Sequence, residues 1–146
     1  MSRTKKTQDF YDYQFQRNLK PVKRYKFFDK IFKIKNGSAA TIFAENCYTQ
    51  ALDCIDAIEG LDEKEDFSES DAKEILEIQI EITNLVKNGL SALVGSDNAD
   101  YIFNYENEEG AGLDMEDLIA IFTEIYMISK GGNPDDANFR NESETK

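Results

Sequence analysis

Apolar residues recur at every third or fourth position in three stretches of the chain, which is the spacing of amphipathic helices. The first stretch covers residues 39–58 and is followed by Gly60, a residue that commonly ends helices. In the second, residues 70–94, apolar positions occupy more than half of the helix circumference, which predicts a buried central helix. The third covers residues 114–129, with acids in its first turn and Lys130 and glycines after its end. The pattern therefore predicts three main helices.

A shorter segment, residues 22–34, has the aromatic and β-branched content of strands, although part of its pattern also fits a helical period. The sequence Asn-Gly-Ser at residues 36–38 marks a turn, in which Ser38 is predicted to cap the first helix. Residues 99–103 are predicted to form a short turn, and residues 104–112 a polar, flexible loop. The expected fold class is mainly α, a small α+β fold in which a short N-terminal strand element packs on a bundle of three main helices.

The two ends of the chain differ in composition from its middle. Residues 1–20 are polar and basic with interspersed Tyr and Phe, and residues 131–146 hold Gly, Asn, Pro, Asp, Glu and Ser with one aromatic residue. We predict a flexible basic N-terminal arm over residues 1–20 and a disordered C-terminal tail over residues 131–146. Residues 21–130 are predicted to form a single helical domain with the short strand element.

The net charge of −12 over 146 residues conceals a split between two parts of the chain. Residues 1–36 hold eleven Lys and Arg against three acids, a charge of +8, whereas residues 37–146 carry −20. Three interpretations of the basic segment stay open: docking on an acidic protein surface such as that of a neighbouring copy, a solubilising role, and nucleic-acid binding. Nucleic acid is the least favoured partner, because the acidic remainder would repel phosphates.

Composition and spacing also exclude or disfavour several classes of chemistry. The chain contains no His, which removes imidazole bases, Ser-His and Cys-His nucleophile pairs and His-containing zinc sites. The acids lack EF-hand spacing, and the glycine pair Gly110 and Gly112 lacks the Lys of a phosphate-binding loop. Cys47 and Cys54 lie about 10.5 Å apart along the predicted helix, too far for a disulfide, and are interpreted as small buried apolar residues rather than a redox or metal pair.

These observations predict a protein that works by contact. We expect no catalytic, cofactor-binding or metal-binding residues, no cofactor and no enzymatic activity. We also expect no membrane association, because no run approaches 18 apolar residues and the first residues lack the apolar stretch of a signal peptide.

The candidate partner-binding residues are basic and aromatic side chains of the arm and of the strand segment, together with two aromatic residues of the last helix. The basic side chains of the arm could track an acidic surface, and the aromatic ones could supply apolar patches. Ordinary core packing is the alternative interpretation of the aromatic residues. The candidates are Arg3, Lys5, Lys6, Tyr11, Tyr13, Phe15, Arg17, Lys20, Tyr25, Phe27, Phe28, Phe122 and Tyr126.

Three runs in the later part of the chain carry a resemblance to a known family. They are LVKNGLSALVG at residues 85–95, NADYIF at residues 98–103 and LDMEDLIAIFTEIY at residues 113–126. In its order of elements the chain resembles the tail assembly chaperones of Gram-positive bacteriophages. The shared elements are a helix that ends in an apolar-Gly element, a short segment closing on Ile-Phe, a glycine-rich polar loop and a final amphipathic helix. The likeness covers about residues 26–129. The chain departs from the family at Asn104, where Gly is usual, in its longer loop, and in the arm, which has no counterpart.

The resemblance implies a non-enzymatic protein that coats the hydrophobic tape-measure protein until tail-tube subunits replace it, often as two related products joined by frameshifting. The implied partners are the tape-measure protein or other tail components, with further copies of the chain itself. The implied location is the cytoplasm of the infected bacterial host. Only a structural framework carries over to this sequence: Gly95, Tyr101, Ile102, Phe103 and the helix from Asp114.

The acidic part of the chain supports an alternative from a different class. A negatively charged helical surface can imitate the phosphate array of DNA and compete for a DNA-binding site. The runner-up hypothesis is therefore an acidic, nucleic-acid-mimicking inhibitor of a host DNA-binding or defence protein. Negative charge that only keeps a small domain in solution is the simpler interpretation, and charge alone does not separate the two.

Overall fold

The chain forms a two-stranded hairpin followed by four helices in a computed structural model that describes residues 14–132. The strands are β1 (Lys23–Phe27) and β2 (Lys30–Ile34), and the helices are α1 (Ser38–Asp62), α2 (Glu69–Val94), α3 (Ser96–Phe103) and α4 (Met115–Ser129). The mainly helical fold with a small N-terminal strand element is thereby confirmed. Most of the predicted arm and tail, residues 1–13 and 133–146, lies outside the described residues.

The strand hairpin alternates buried and exposed side chains, as expected when successive side chains point to opposite faces of a strand. The two strands pair antiparallel with only two residues in their connection. One face presents Phe27, Phe32 and Ile34 to the core. The backbone N–H of Lys35 donates to the carbonyl oxygen of Leu93 (2.8 Å), which joins the strand hairpin to the C-terminal end of α2.

Helices α1 and α2 form a helical hairpin through the loop of residues 63–68. Helix α1 buries Ala44, Cys47 and Ala51, small residues that allow close approach of the two helices. Both cysteines are free, and Cys54 is half-buried. Burial raises the pKa of both thiols, and the carboxylates near Cys54 raise its pKa further. The interpretation of Cys47 as a small buried residue is confirmed.

The structure corrects both predicted ends of α1. Ser38 is the first helical residue and not the cap; Gly37 precedes the helix in extended conformation, and no side chain caps this end. The helix also continues through Gly60, whose backbone has no positive φ, and the N–H of Glu63 donates to the carbonyl oxygen of Glu59 (3.2 Å). A glycine ends a helix when it takes a positive φ; with a helical backbone, Gly60 only costs the helix about 1 kcal/mol and does not end it.

The predicted turn at residues 99–103 is the second part of helix α3. Gly95 ends α2 with a φ of 94°, and its carbonyl oxygen accepts the N–H of Ala99 (3.0 Å), so a new helix starts at once. Ala99 and Ile102, three positions apart on one helix face, are both buried. An eight-residue helix is marginal in water by itself, so this burial is what stabilises α3.

The loop before α4 is closed by side-chain hydrogen bonds. The Asn107 side-chain oxygen accepts the N–H groups of Glu109 and Ala111 (2.9 Å each), so this part of the predicted flexible loop is held in a defined turn. Asp114 then caps α4: its carboxylate accepts the Asp117 N–H (2.8 Å), and the Asp117 carboxylate accepts the Asp114 N–H (3.1 Å). The predicted start of the last helix is confirmed.

Helix α4 packs on the C-terminal half of α2. Phe122 lies directly over Gly89, where an added Cβ would come within 2.4 Å of the Phe122 ring. At the other end of α4, Met115 lies beside Gln79 and Thr83 of α2. The two helices therefore run in the same direction, and the N-terminal half of α2 extends beyond the first residue of α4.

Three of the predicted partner-binding aromatic residues belong to the core, and we correct their assignment. Phe27, Phe122 and Tyr126 are each less than 5% exposed. Their rings pack on other core rings: Phe122 meets Tyr48 edge to face, with ring centroids 6.0 Å apart. A side chain that the fold already covers cannot contribute a surface patch, so core packing is the interpretation that holds for these three.

Candidate partner-binding surfaces

An apolar groove lies on the part of α2 that α4 leaves uncovered. Leu76 and Ile80, one helical turn apart, are 57% and 56% exposed. Together with Gln79, Thr83 and Met115 they line a groove of about 380 Å³. Single exposed apolar residues are common on proteins, whereas adjacent ones that line a groove form a candidate binding surface.

The groove exists because α2 and α4 differ in length. Helix α2 has 26 residues and α4 has 15. The stripe of α2 that holds Leu76 and Ile80 continues through Thr83 and Lys87, which pairs with Asp100 of α3, to Leu90 and Val94, which are buried. The same stripe is thus covered at its C-terminal end and open in its N-terminal half. The open half is a candidate position for a partner helix.

The surroundings of the apolar groove are acidic. Glu77 and Glu81 are exposed on α2 beside the apolar pair, and Glu116 is exposed next to Met115 at the start of α4. An apolar centre with a charged rim is the usual anatomy of a protein-binding surface. Leu76 and Ile80 were not among the predicted partner-binding residues, because the broad apolar pattern of α2 predicted a buried central helix.

The outer face of the strand hairpin forms a second surface, the basic sheet face, which consists of Arg24, Lys26, Ile31 and Lys33. All four side chains are exposed, and Ile31 is 58% exposed. The register places Arg24 directly opposite Lys33 and Lys26 opposite Ile31. Like charges that face each other across a strand pair destabilise the pair. Within residues 14–132 none of these three cations forms an ion pair, since the two pairs there are Lys64 with Asp71 and Lys87 with Asp100.

The turn of the strand hairpin holds an aromatic residue in a strained conformation. Phe28 has a φ of 52°, in the left-handed region, which costs a non-glycine residue about 1–2 kcal/mol. Its ring stacks on Tyr105, with centroids 4.4 Å apart and planes 9° from parallel, yet remains 55% exposed. The ring also meets that of Phe27 edge to face, with centroids 4.8 Å apart, so these aromatic contacts hold Phe28 on the core-facing side of the turn.

The third surface, the acidic tip, comprises residues 53–77 at the closed end of the helical hairpin. It holds eleven Asp and Glu against Lys64 and Lys73. Phe67 lies in its loop and is 46% exposed. The acidic tip therefore combines a dense negative charge with one apolar anchor.

A reciprocal cap organises the acidic tip. The Ser68 hydroxyl accepts the Asp71 N–H (3.2 Å), and the Asp71 carboxylate accepts the Ser68 N–H (3.0 Å). The Lys64 Nζ lies 3.0 Å from the same carboxylate. The hydrogen bond from the Ser68 backbone, followed by that from Lys64, lowers the pKa of Asp71, and the Asp71 carboxylate raises the pKa of Lys64.

We expect Asp71→Asn to lower the melting temperature at pH 7 and to lower it by less at about pH 3. A carboxyl with a lowered pKa in the folded state stabilises that state above its unfolded pKa, about 3.9, and the contribution is lost as the pH falls through the folded pKa. Asn has the shape of Asp without its charge. Thermal melts across this pH range test the expectation, with Asp66→Asn in the same loop as control. An equal effect of Asp71→Asn at both pH values would contradict it.

The remaining predicted partner-binding residues occupy different places. Phe15, Arg17 and Lys20 are exposed, and the Asn36 side-chain amide donates to the carbonyl oxygen of Pro21 (3.0 Å), which fixes the end of the arm beside β2. Tyr25 is half-buried, and its hydroxyl donates to the buried Glu124 carboxylate. The calls on Arg3, Lys5, Lys6, Tyr11 and Tyr13 lie outside the described residues.

The candidate sites among the described residues are surfaces for contact with a partner. No group of three or more His, Cys, Asp or Glu between residues 14 and 132 is placed to hold a metal ion. No helix in this part of the chain is long and apolar enough to span a membrane. Comparison of the chain with protein-family models, with curated proteins and with solved structures gave no match.

Proposed function

We propose that the protein is a non-catalytic assembly chaperone of a bacteriophage tail, and that it binds a helical segment of the tape-measure protein in the apolar groove. The observation that carries the proposal is the pair Leu76 and Ile80, exposed in the apolar groove. The resemblance of residues 26–129 to tail assembly chaperones supplies the identity of the client.

The groove suits an amphipathic helix. Such a helix presents apolar side chains at spacings of three and four residues, the spacing at which Leu76 and Ile80 stand, and it would lie against α2 as α4 does further along. The acidic rim at Glu77 and Glu81 favours a client with basic residues beside its apolar stripe.

The groove also suits a client that must later be released. Fully burying one Leu or Ile side chain contributes about 1.5–3 kcal/mol, and slightly more than half of each side chain is still open, so each contributes about 1–2 kcal/mol on binding. Two such contacts give weak binding at a single groove. A long client would be held by many copies, each of which can be displaced separately.

The test is co-expression with a helical segment of the candidate tape-measure protein long enough to hold several copies, and measurement of the complex by co-purification and by titration. We expect Leu76→Glu/Ile80→Glu to weaken binding at least about tenfold, since it places two charges in the apolar contact. Ile42→Glu is the matched control, because Ile42 is 65% exposed on α1 and does not line the apolar groove. Equal binding by the wild type and the groove variant would overturn the assignment of the groove, and absence of any complex with the wild type would overturn the proposed function.

The acidic tip favours a second candidate function, an inhibitor that imitates nucleic acid. Eleven carboxylates on a helical hairpin against two lysines form the kind of charge array that such an inhibitor needs. This candidate predicts that the chain displaces DNA from a host DNA-binding protein, and that Glu65→Gln/Asp66→Asn weakens the displacement while the groove variant does not. Retention of DNA by every host protein tested would remove it.

A further inference from the structure

We propose that the protein assembles head to tail with further copies of itself, the basic sheet face of one copy docking on the acidic tip of the next. The proposal can be tested apart from the tape-measure client, because the variants that test it leave Leu76, Glu77 and Ile80 unchanged. The partner of the basic sheet face is the acidic tip of a second copy, and the free sheet face holds like charges opposite each other.

The two surfaces lie at opposite ends of the molecule. The hydrogen bond between Lys35 and Leu93 places the strand hairpin at the C-terminal end of α2, and the acidic tip contains the first residues of the same helix. From Glu69 to Leu93 the helix axis extends about 36 Å. The basic sheet face therefore cannot reach the acidic tip of its own molecule.

The surfaces are complementary in charge. The segment of residues 1–36 carries +8, and residues 53–77 carry −9, from eleven acids and two bases. On the basic sheet face Arg24 stands opposite Lys33, an arrangement that costs stability in the free molecule. Carboxylates of a second copy would remove that repulsion on docking, so the free energy lost in the free hairpin is regained in the assembly.

Each surface also has an exposed apolar anchor. Ile31 is 58% exposed among the cations of the basic sheet face, directly opposite Lys26. Phe67 is 46% exposed among the carboxylates of the acidic tip. Apolar anchors surrounded by a polar rim are typical of protein interfaces.

The chemistry favours a second copy over nucleic acid. A nucleic acid is negatively charged along its whole length, so the phosphates beyond the basic sheet face would be repelled by residues 37–146, which carry −20. The negative charge of the docking end of another copy is concentrated in its acidic tip, and the basic sheet face of that copy lies at its opposite end. Because the two docking surfaces differ, the contact is heterologous, and repetition gives rings or open arrays and not a closed symmetric dimer.

Two variants of the full-length chain, each blocked at one end, test the proposal by sedimentation. One is Lys26→Gln/Ile31→Thr/Lys33→Gln on the basic sheet face; the other is Glu65→Gln/Asp66→Asn/Phe67→Ser on the acidic tip. At about 50 mM salt the wild type should exceed twice the mass of the 16.7 kDa chain as its concentration rises, and at about 500 mM salt it should return to the mass of one chain.

Each blocked variant alone should sediment as a single chain. An equimolar mixture should form pairs and grow no further, because each pair uses both intact surfaces and leaves only the two altered surfaces free. The melting temperature of the sheet-face variant should equal or exceed that of the wild type, since Arg24 loses a like-charged neighbour. The acidic-tip variant changes only an exposed loop and tests the same contact from the other side.

A wild type that remains a single chain at low salt would overturn the proposal. So would association of either blocked variant by itself at wild-type strength, or growth of the mixture beyond pairs. A failure of these tests leaves the binding of a client in the apolar groove untouched, and a failure of client binding leaves the head-to-tail contact untouched.

Discussion

Replacing Phe122 with alanine should lower the free energy of unfolding by about 3–5 kcal/mol. The ring is 1% exposed and lies between Gly89 of α2 and the rings of Tyr48 and Tyr126. Gly89 has no side chain that could move into the space, so the cavity would stay open. Since domains of this size are stable by only about 5–15 kcal/mol, this is a large part of the total.

Urea unfolding measures this loss as a lower midpoint at an unchanged slope. Phe43→Ala is the matched control, because Phe43 is a helical phenylalanine that is 49% exposed, and its replacement should cost only about 1 kcal/mol. A Phe122→Ala protein as stable as Phe43→Ala would contradict the placement of Phe122 in the core.

The same substitution, glycine to alanine, should have opposite effects at two helical positions. At Gly89 an added methyl would approach the Phe122 ring to 2.4 Å, and that ring is confined by other aromatic residues. The cost of overpacking, about 1–3 kcal/mol, exceeds the gain in helix propensity of up to about 1 kcal/mol. At Gly60, which has open space around it and a helical backbone, the propensity gain stands alone and should stabilise by about 0.5–1 kcal/mol.

Urea unfolding of Gly89→Ala and Gly60→Ala tests the two signs directly. A double-mutant cycle identifies the cause: in a Phe122→Leu background the smaller side chain leaves room for the methyl, so the penalty at Gly89 should shrink. Stabilisation by Gly89→Ala in the wild-type background would show that α2 and α4 do not approach as closely as the structure has them.

The helices were predictable from the sequence where the apolar period of a segment and the residues at its ends decide the structure. The three periodic stretches are α1, α2 and α4, and the last of them begins within one residue of the predicted start at Asp114, which the structure shows to be its cap. The predictions failed at Gly60 and at residues 99–103. Gly60 keeps a helical backbone inside α1, because a glycine costs a helix only about 1 kcal/mol, and residues 99–103 are helical because Ala99 and Ile102 are buried.

The candidate surfaces were predictable only in part. The charge split was visible in the sequence, and the basic segment proved to include an exposed sheet face with Arg24 opposite Lys33. The aromatic residues predicted the surfaces less well than the charges did. An aromatic residue in an amphipathic helix, such as Phe122 or Tyr126, fits a core as well as a partner-binding surface, and the structure buries both. The one sequence signal for the apolar groove was the difference in length between the central and the last apolar stretch.

Local sequence alone determined the helical periods, the strand hairpin and the separation of basic from acidic residues, because each of these depends on neighbours within a few positions. Tertiary structure decided which apolar residues are covered: Leu76 and Leu90 belong to the same stripe of α2, yet only Leu90 is buried. The physical reason is that coverage depends on where a second helix begins. Helix α4 starts at Met115, beside the middle of α2, and that position leaves the apolar groove open.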